Sequence, residues 1–219
     1  MPAPPTLYAK SPLPRPERPA DTPPLVGGHL ALDFLNSTPR HGEHAPGDLL
    51  APGYVNFVDW AAGANAIPAD LARPLLLVAG KEPREAAAVR RRALALRDEL
   101  AGVAAGLIRA ESLTSDLPVI DAEVRSAQDA RTLHLGNGAA SWAWQRERAL
   151  ERPLWEVALA VADLLLHADW SRVRQCDAPE CERFFLDTSR NGMRRYCSAS
   201  GCGTVERVRR FRARQRQAD

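Results

Sequence analysis

The chain has 219 residues and a mass of 23.9 kDa, enough for one core of ordinary size and a small appendage. A formal net charge of +2, from 29 basic and 27 acidic residues, excludes a histone-like or wholly acidic chain. The 45% hydrophobic content excludes wholesale disorder, and four cysteines are too few for a disulfide miniprotein.

Residues 1–24 hold nine of the eighteen prolines and lack the apolar core of a signal peptide, which predicts a disordered, proline-rich leader on a cytoplasmic protein. Folded sequence begins at Leu25. In GGHLALDFLNSTPR the alternation of Leu30, Leu32 and Phe34 predicts a short strand or extended entry. HGEHAPGDLLAPG reads as a loop. Within it His41 and His44 flank Glu43 at metal-like spacing, but no third or fourth ligand is near. Tyr54, Phe57, Val58 and Ala61 mark a one-sided helix, and a second begins after Pro68.

A long helix is predicted from Pro83 to about Ala110, with proline in its first turn. Leu96, Leu100, Val103 and Leu107 form its buried stripe, and Arg90, Arg91, Arg92 and Arg97 lie around the rest. A helix over Val119–Ala130 precedes a β-hairpin, Thr132–Leu135 and Ser141–Gln145 around Gly136-Asn137-Gly138. Trp142 and Trp144 share one face of it, and with Trp155 and Trp170 they read as packing residues. Leu154–His167 is apolar nearly all round and predicts the most buried helix. The longest apolar stretch, Val157–Leu166, is too short to span a bilayer and contains Asp163, so no membrane partner is expected. Residues 25–170 thus read as a mostly α body with one small hairpin, an α+β domain.

All four cysteines fall within 27 consecutive residues, as Cys176-x4-Cys181, a fifteen-residue insert, and Cys197-x4-Cys202. Two matched pairs at this spacing suit one structural Zn²⁺ held by four thiolates. Pro179, Gly201 and Gly203 serve the turns. A segment this small buries too little apolar surface to fold unaided, so the metal supplies the folding energy. Four protein thiolates leave no open position for catalytic water, and the histidine and glutamate of a zinc deaminase are absent. Phe184 and Phe185 read as the module's miniature core rather than a base-stacking pair. Oxidation of the thiolates would release the metal, but nothing in the spacing favours a redox sensor over a structural site.

The metal would hold up the run TVERVRRFRARQRQ. As a helix, it places Val205, Val208 and Phe211 on one side, expected to dock on the zinc module, with Thr204 as N-cap and Glu206 in the first turn. Arg209, Arg212 and Arg216 form a row on one flank, and Arg207, Arg210 and Arg214 a row on the other. Arg194 and Arg195 add to the field. From Ser171 onward twelve arginines face six acids, a net of +6, whereas residues 1–170 carry a net of −4. Nucleic acid is the natural polyanion for such a helix.

The order CxxxxC…FFLDTSRN…RRYCSASGCG…RFRAR over Cys176–Arg214 resembles the CGNR-type zinc finger. GGHLALDFLNS and the helical body resemble the ABATE-type domain, which precedes that finger in bacterial proteins regarded as stress-induced transcription regulators. The resemblance implies zinc on Cys176, Cys181, Cys197 and Cys202, and DNA on the basic helix. One departure stands out: Thr204 and Val205 replace the Asn and Arg that follow Cys-Gly in the family's name motif.

The expected organisation is therefore a leader (1–24), a helical ABATE-like body (25–170) and a four-cysteine finger with a basic α-helix (171–219). The expected function is DNA-binding transcription regulation by a nucleoid-associated protein with one structural Zn²⁺. A protein–protein adaptor or RNA binder using the same helix is the alternative. No catalytic constellation is present, so no enzyme is expected. Asp33 and Asn36 are the weak candidates for a small-molecule site in the body, where a small-molecule or protein effector would act; their commoner role is to satisfy local backbone.

Overall fold

The computed structural model describes residues 25–38, 47–111, 114, 116–136, 138–179 and 181–218. The proline-rich leader and the segment holding His41, Glu43 and His44 lie outside the described residues. In chain order the elements are α1 (Leu30–Leu35), α2 (Tyr54–Gly63), α3 (Ala69–Lys81), α4 (Pro83–Ile108), α5 (Pro118–Asp129), β1 (Arg131–Gly136), β2 (Ala139–Trp144) and α6 (Arg152–His167). A 3-10 turn over Trp170–Arg172 leads into β3 (Val173–Gln175), β4 (Phe184–Leu186) and α7 (Cys202–Ala218). The chain is mostly helical. β1 pairs antiparallel with β2, and β3 with β4.

The extended entry expected over Leu30–Phe34 is instead helix α1. Ala31, Leu32, Phe34 and Leu35 are its buried residues, a helical spacing that six residues are too few to separate from alternation. His29 caps the helix, its Nδ1 accepting from the Ala31 N–H at 3.2 Å. Phe34 then lies 5.4 Å, ring to ring, from Trp60 of α2, and Phe57 stacks on the same indole at 6.4 Å. Phe34 and Phe57 are fully buried, and each contributes about 1.5–3 kcal/mol by its removal from water. α6 runs through this core, burying Leu154, Val157, Ala158, Val161 and Leu164, as its all-round apolar sequence demands.

α4 departs from its predicted stripe. Leu96 and Leu100 are fully buried, but Val103 and Leu107 are only half-buried, and Ala104 carries the line into the core. Arg97, placed by periodicity outside that stripe, is also buried. Its Nη1 donates to Asp48 Oδ1 and to Ser37 Oγ, both at 2.9 Å. The partners come from the segments flanking residues 39–46, and helical period carries no information about them.

The hairpin stands clear of the core. Trp144 at its base stacks on Trp155 of α6 at 5.4 Å and 9°, with the Arg152 guanidinium 4.3 Å from the Trp144 ring centre. Trp142, expected to pack, is instead 55% exposed beneath Arg131. Gly138 supplies the left-handed backbone, φ 76°, that the turn needs. No helix among the described residues is long and apolar enough to cross a membrane.

Candidate metal centre and basic helix

The strands β3 and β4 bring the first cysteine pair together. The Cys176 N–H donates to the Arg183 carbonyl at 2.8 Å, and the Cys181 N–H to the Ala178 carbonyl at 3.0 Å. Glu182 turns the chain out of the knuckle with φ 50°. The second knuckle closes through the Gly203 N–H on the Ser198 carbonyl, 2.9 Å, and the Gly201 N–H on Ser198 Oγ, 3.0 Å. A Cβ on Gly203 would stand 3.2 Å from the Ser198 carbonyl oxygen, so glycine permits this approach.

The four sulfurs lie within 4.8 Å of one another, with Cys181 Sγ–Cys197 Sγ at 3.6 Å and Cys197 Sγ–Cys202 Sγ at 3.7 Å. Four ligands at about 2.3 Å on a tetrahedral ion stand roughly 3.8 Å apart, so the donor set fits a zinc-type centre. All four cysteines are free thiols. The Cys197 N–H points at Cys176 Sγ, 3.4 Å, adding a backbone donor to the sulfur shell. Electrostatics also suit a cation. Hydrogen bonds from Cys176 and Cys197 hold the Cys181 thiol well below its ordinary pKa. The same contacts, with Cys176 and Cys181, hold Cys197 well above it, and burial together with Cys181 pushes Cys202 up to about 11. A divalent cation among four thiols this close favours their thiolate forms.

Phe185, fully buried, forms the miniature core with Cys176, Cys181 and Cys197, under the Arg194 guanidinium at 4.7 Å. Phe184 turns the other way and packs on the body. Asp187 is completely buried; its carboxylate accepts from the Ser189 N–H at 2.9 Å and the Arg194 N–H at 2.8 Å. Arg172 and Arg174 donate to the Ser189 and Gly192 carbonyls, so the loop between the knuckles is held from three directions. Sequence reasoning overlooked Asp187, although a lone acid in an arginine-rich stretch was a usable signal.

α7 starts at Cys202, three residues earlier than expected from an N-cap at Thr204. Thr204 is thus inside the helix rather than its N-cap, and its Oγ1 donates to the Ala199 carbonyl at 3.0 Å. Glu206 falls in the second turn, nearly buried, and accepts from Arg209 at 3.2 Å. The docking expected of Val205, Val208 and Phe211 does not occur: they are 62%, 43% and 56% exposed. Cys202 must aim at the other sulfurs, and a helix starting there turns Gly203 and Glu206 toward the module instead.

The predicted DNA-contacting arginines divide by what they touch. Arg194 bonds the Tyr196 and Cys197 carbonyls, and Arg195 pairs with Asp177 at 2.6 Å. Arg207 reaches back to the Gly203 carbonyl, Arg209 to Glu206 and Arg210 to the Tyr196 hydroxyl. Arg212, Arg214 and Arg216 make no hydrogen bond or ion pair among the described residues, and all three are exposed.

Asp33 and Asn36 have internal work. Asp33 Oδ1 accepts from the Gly27 N–H at 2.8 Å. Asn36 makes a two-way bond with the backbone of β4: its Oδ1 accepts from the Phe184 N–H and its Nδ2 donates to the Phe184 carbonyl, each at 2.8 Å. The Leu186 N–H on the Gly27 carbonyl, also 2.8 Å, adds a third bond across the seam between body and finger. Beside it opens a cavity of about 240 Å³ whose lining includes His29, Asp163, His167, Arg172 and Asp187. Asp163 there bridges both imidazoles, at 3.1 Å to His29 and 3.0 Å to His167.

The model of the CGNR zinc finger matches residues 172–215. The model of ABATE, described as "Putative stress-induced transcription regulator", matches residues 28–168. A comparison with curated proteins finds no match. With the helical body matched over most of its length and the cysteine module matched from β3 into α7, the chain belongs to the ABATE family and carries a CGNR zinc finger.

Proposed function

We propose that this chain is a zinc-dependent, DNA-binding transcription regulator and not an enzyme: one structural Zn²⁺ on Cys176, Cys181, Cys197 and Cys202 fixes the base of α7, and the arginines of α7 bind DNA phosphates. The observation that carries the reading is the state of that helix. Every residue from Arg207 to Arg216 is exposed, and the arginines at helical neighbour spacing, Arg207 with Arg210, Arg210 with Arg214, Arg209 with Arg212, Arg212 with Arg216, repel one another. Glu206 is the one acid that pairs within this helix. A free-standing helix of this kind gains its counter-charge from outside, and a nucleic-acid backbone supplies it at regular spacing. The metal's contribution is folding energy and position. The cavity at the seam touches both body and finger, so an effector held there would be felt by both.

The test is fluorescence anisotropy of the zinc-loaded full chain on a labelled 24-base-pair duplex as salt rises from 50 to 200 mM. With about six phosphates neutralised, log affinity falls against log salt with a slope of about −5. The triple replacement of Arg212, Arg214 and Arg216 by Gln flattens that slope by about three units while zinc content is unchanged. A salt-insensitive interaction, or tighter binding to duplex RNA than to duplex DNA, overturns the reading.

A further inference from the structure

α7 turns its apolar stripe away from the protein. At about 100° per residue, the buried Gly203 and Glu206 lie on the side opposite Val208. Val205, Val208 and Phe211 therefore form an outward ridge, and arginines flank it on both sides: Arg209, Arg212 and Arg216 on one, Arg207 and Arg214 on the other. A shallow trough beside the ridge is floored by Val205, Val208 and Ala213 and walled by Arg209, Arg212 and Arg216. Val205 stands where the family's name motif has arginine, so this chain lengthens the ridge by a turn in place of a cation.

An apolar ridge between two cationic rows complements a groove with phosphate walls and apolar groups on its floor. The major groove of B-DNA is about 12 Å wide, admits one α-helix, and displays one apolar group on its base edges, the thymine C5-methyl. The major groove of an A-form RNA duplex is too deep and narrow for a helix, and uracil lacks the methyl. We infer that Val205, Val208 and Phe211 lie on the floor of the DNA major groove and contact thymine methyl groups, with the arginine rows on the two phosphate walls. The inference rests on the DNA-binding reading and adds to it the side chains that touch bases.

Two 24-base-pair alternating duplexes test it, one of dA and dT, the other with dU in place of every dT, so that the strands differ by the methyl group alone. They are titrated by anisotropy with the zinc-loaded full chain at matched salt concentrations from 50 to 200 mM. Each contacted methyl contributes about fourfold in Kd, from about 0.8 kcal/mol per buried carbon. Two contacts make the dU duplex about fifteenfold weaker. The exposed-site triple variant Val205→Ala, Val208→Ala, Phe211→Ala brings the dT-to-dU ratio to about one and leaves the salt slope unchanged. Arg212→Gln weakens both duplexes equally and flattens the slope by about one unit. Equal wild-type affinity for the two duplexes, or a ratio that survives in the triple variant, overturns the inference and leaves phosphate binding intact. Binding to neither duplex, with the helix taken up by anionic phosphatidylglycerol vesicles, overturns the DNA-binding reading as well.

Discussion

Replacing Asn36 with Ala cuts two of the three seam bonds in one step. The amide accepts from the Phe184 N–H and donates to its carbonyl, both at 2.8 Å, and Phe184 is half-buried between body and finger. Each bond contributes about 1 kcal/mol net, and a buried backbone group left without a partner costs about 1–3 kcal/mol. Because Phe184 is only half-buried, water recovers part of that loss, and the expected destabilisation is about 2–4 kcal/mol. Urea unfolding followed by far-UV circular dichroism, with zinc in excess, measures it as a lower midpoint at constant slope. Hydrogen exchange at the Phe184 amide gives the local readout and accelerates in the variant. Asn36→Asp keeps an acceptor for the Phe184 N–H but sets a carboxylate oxygen against the Phe184 carbonyl, so it falls at least as far. A stability within about 0.5 kcal/mol of wild type, with Phe184 protection unchanged, refutes a stabilising role for the Asn36–Phe184 bonds and returns Asn36 to the ligand-binding candidates.

Cys197→Ser loses the metal and the folded finger together while the body helices persist, because structural zinc supplies folding energy of order 10 kcal/mol to such modules; a variant that keeps one zinc per chain by elemental analysis contradicts this. Arg97→Met leaves the Asp48 carboxylate unpaired beside Ser37 and costs about 3–5 kcal/mol in urea unfolding. Burial holds the His29 imidazole below its ordinary value of 6.5, despite the Asp163 carboxylate beside it, so the unfolded chain binds the proton more readily. Stability is therefore complete above about pH 6.5 and falls as pH drops from there toward the lower folded-state value, by at most about 1.4 kcal/mol per unit. In His29→Asn, which keeps a capping side chain, unfolding midpoints at pH 7.5 and pH 5.5 lie closer together than in wild type.

What the sequence disclosed was set by how local the governing physics is. The cysteine pairs were legible because tetrahedral thiolate geometry requires two close pairs, and their spacing is written along the chain. α2, α4, α5, α6 and the hairpin were legible because each repeats its period over enough residues. α1 was not: six residues fit both periods, and its helical state is decided by a cap at His29 and burial against Trp60. Arg97 reads as one more solvated arginine until Ser37 and Asp48, 60 and 49 residues away, are brought to it. Asn36 looked like a polar end to an apolar segment, and the partner that gives it meaning is 148 residues on. The rotation of α7 was misread for a different reason. An amphipathic stripe ordinarily faces its own protein, but here Cys202, which joins the four-sulfur cluster, sets the helix phase and overrides the hydrophobic pattern.

That phase also bears on the near-neutral total charge. The body is acidic, with 14 basic and 19 acidic residues over 25–170 for a net of −5, and it is bonded directly to the finger through Gly27 and Asn36. A polyanion approaching the base of α7 would meet that field, and there Arg194, Arg195, Arg207, Arg209 and Arg210 already have partners inside the protein. Arg212, Arg214 and Arg216 stand about 9–15 Å along the helix from Glu206, its last buried residue, at 1.5 Å per residue. The arginines without partners among the described residues are thus the ones farthest along α7 from the cysteine module, and that end of the helix, rather than the net charge of the chain, is where the finger offers unpaired cations.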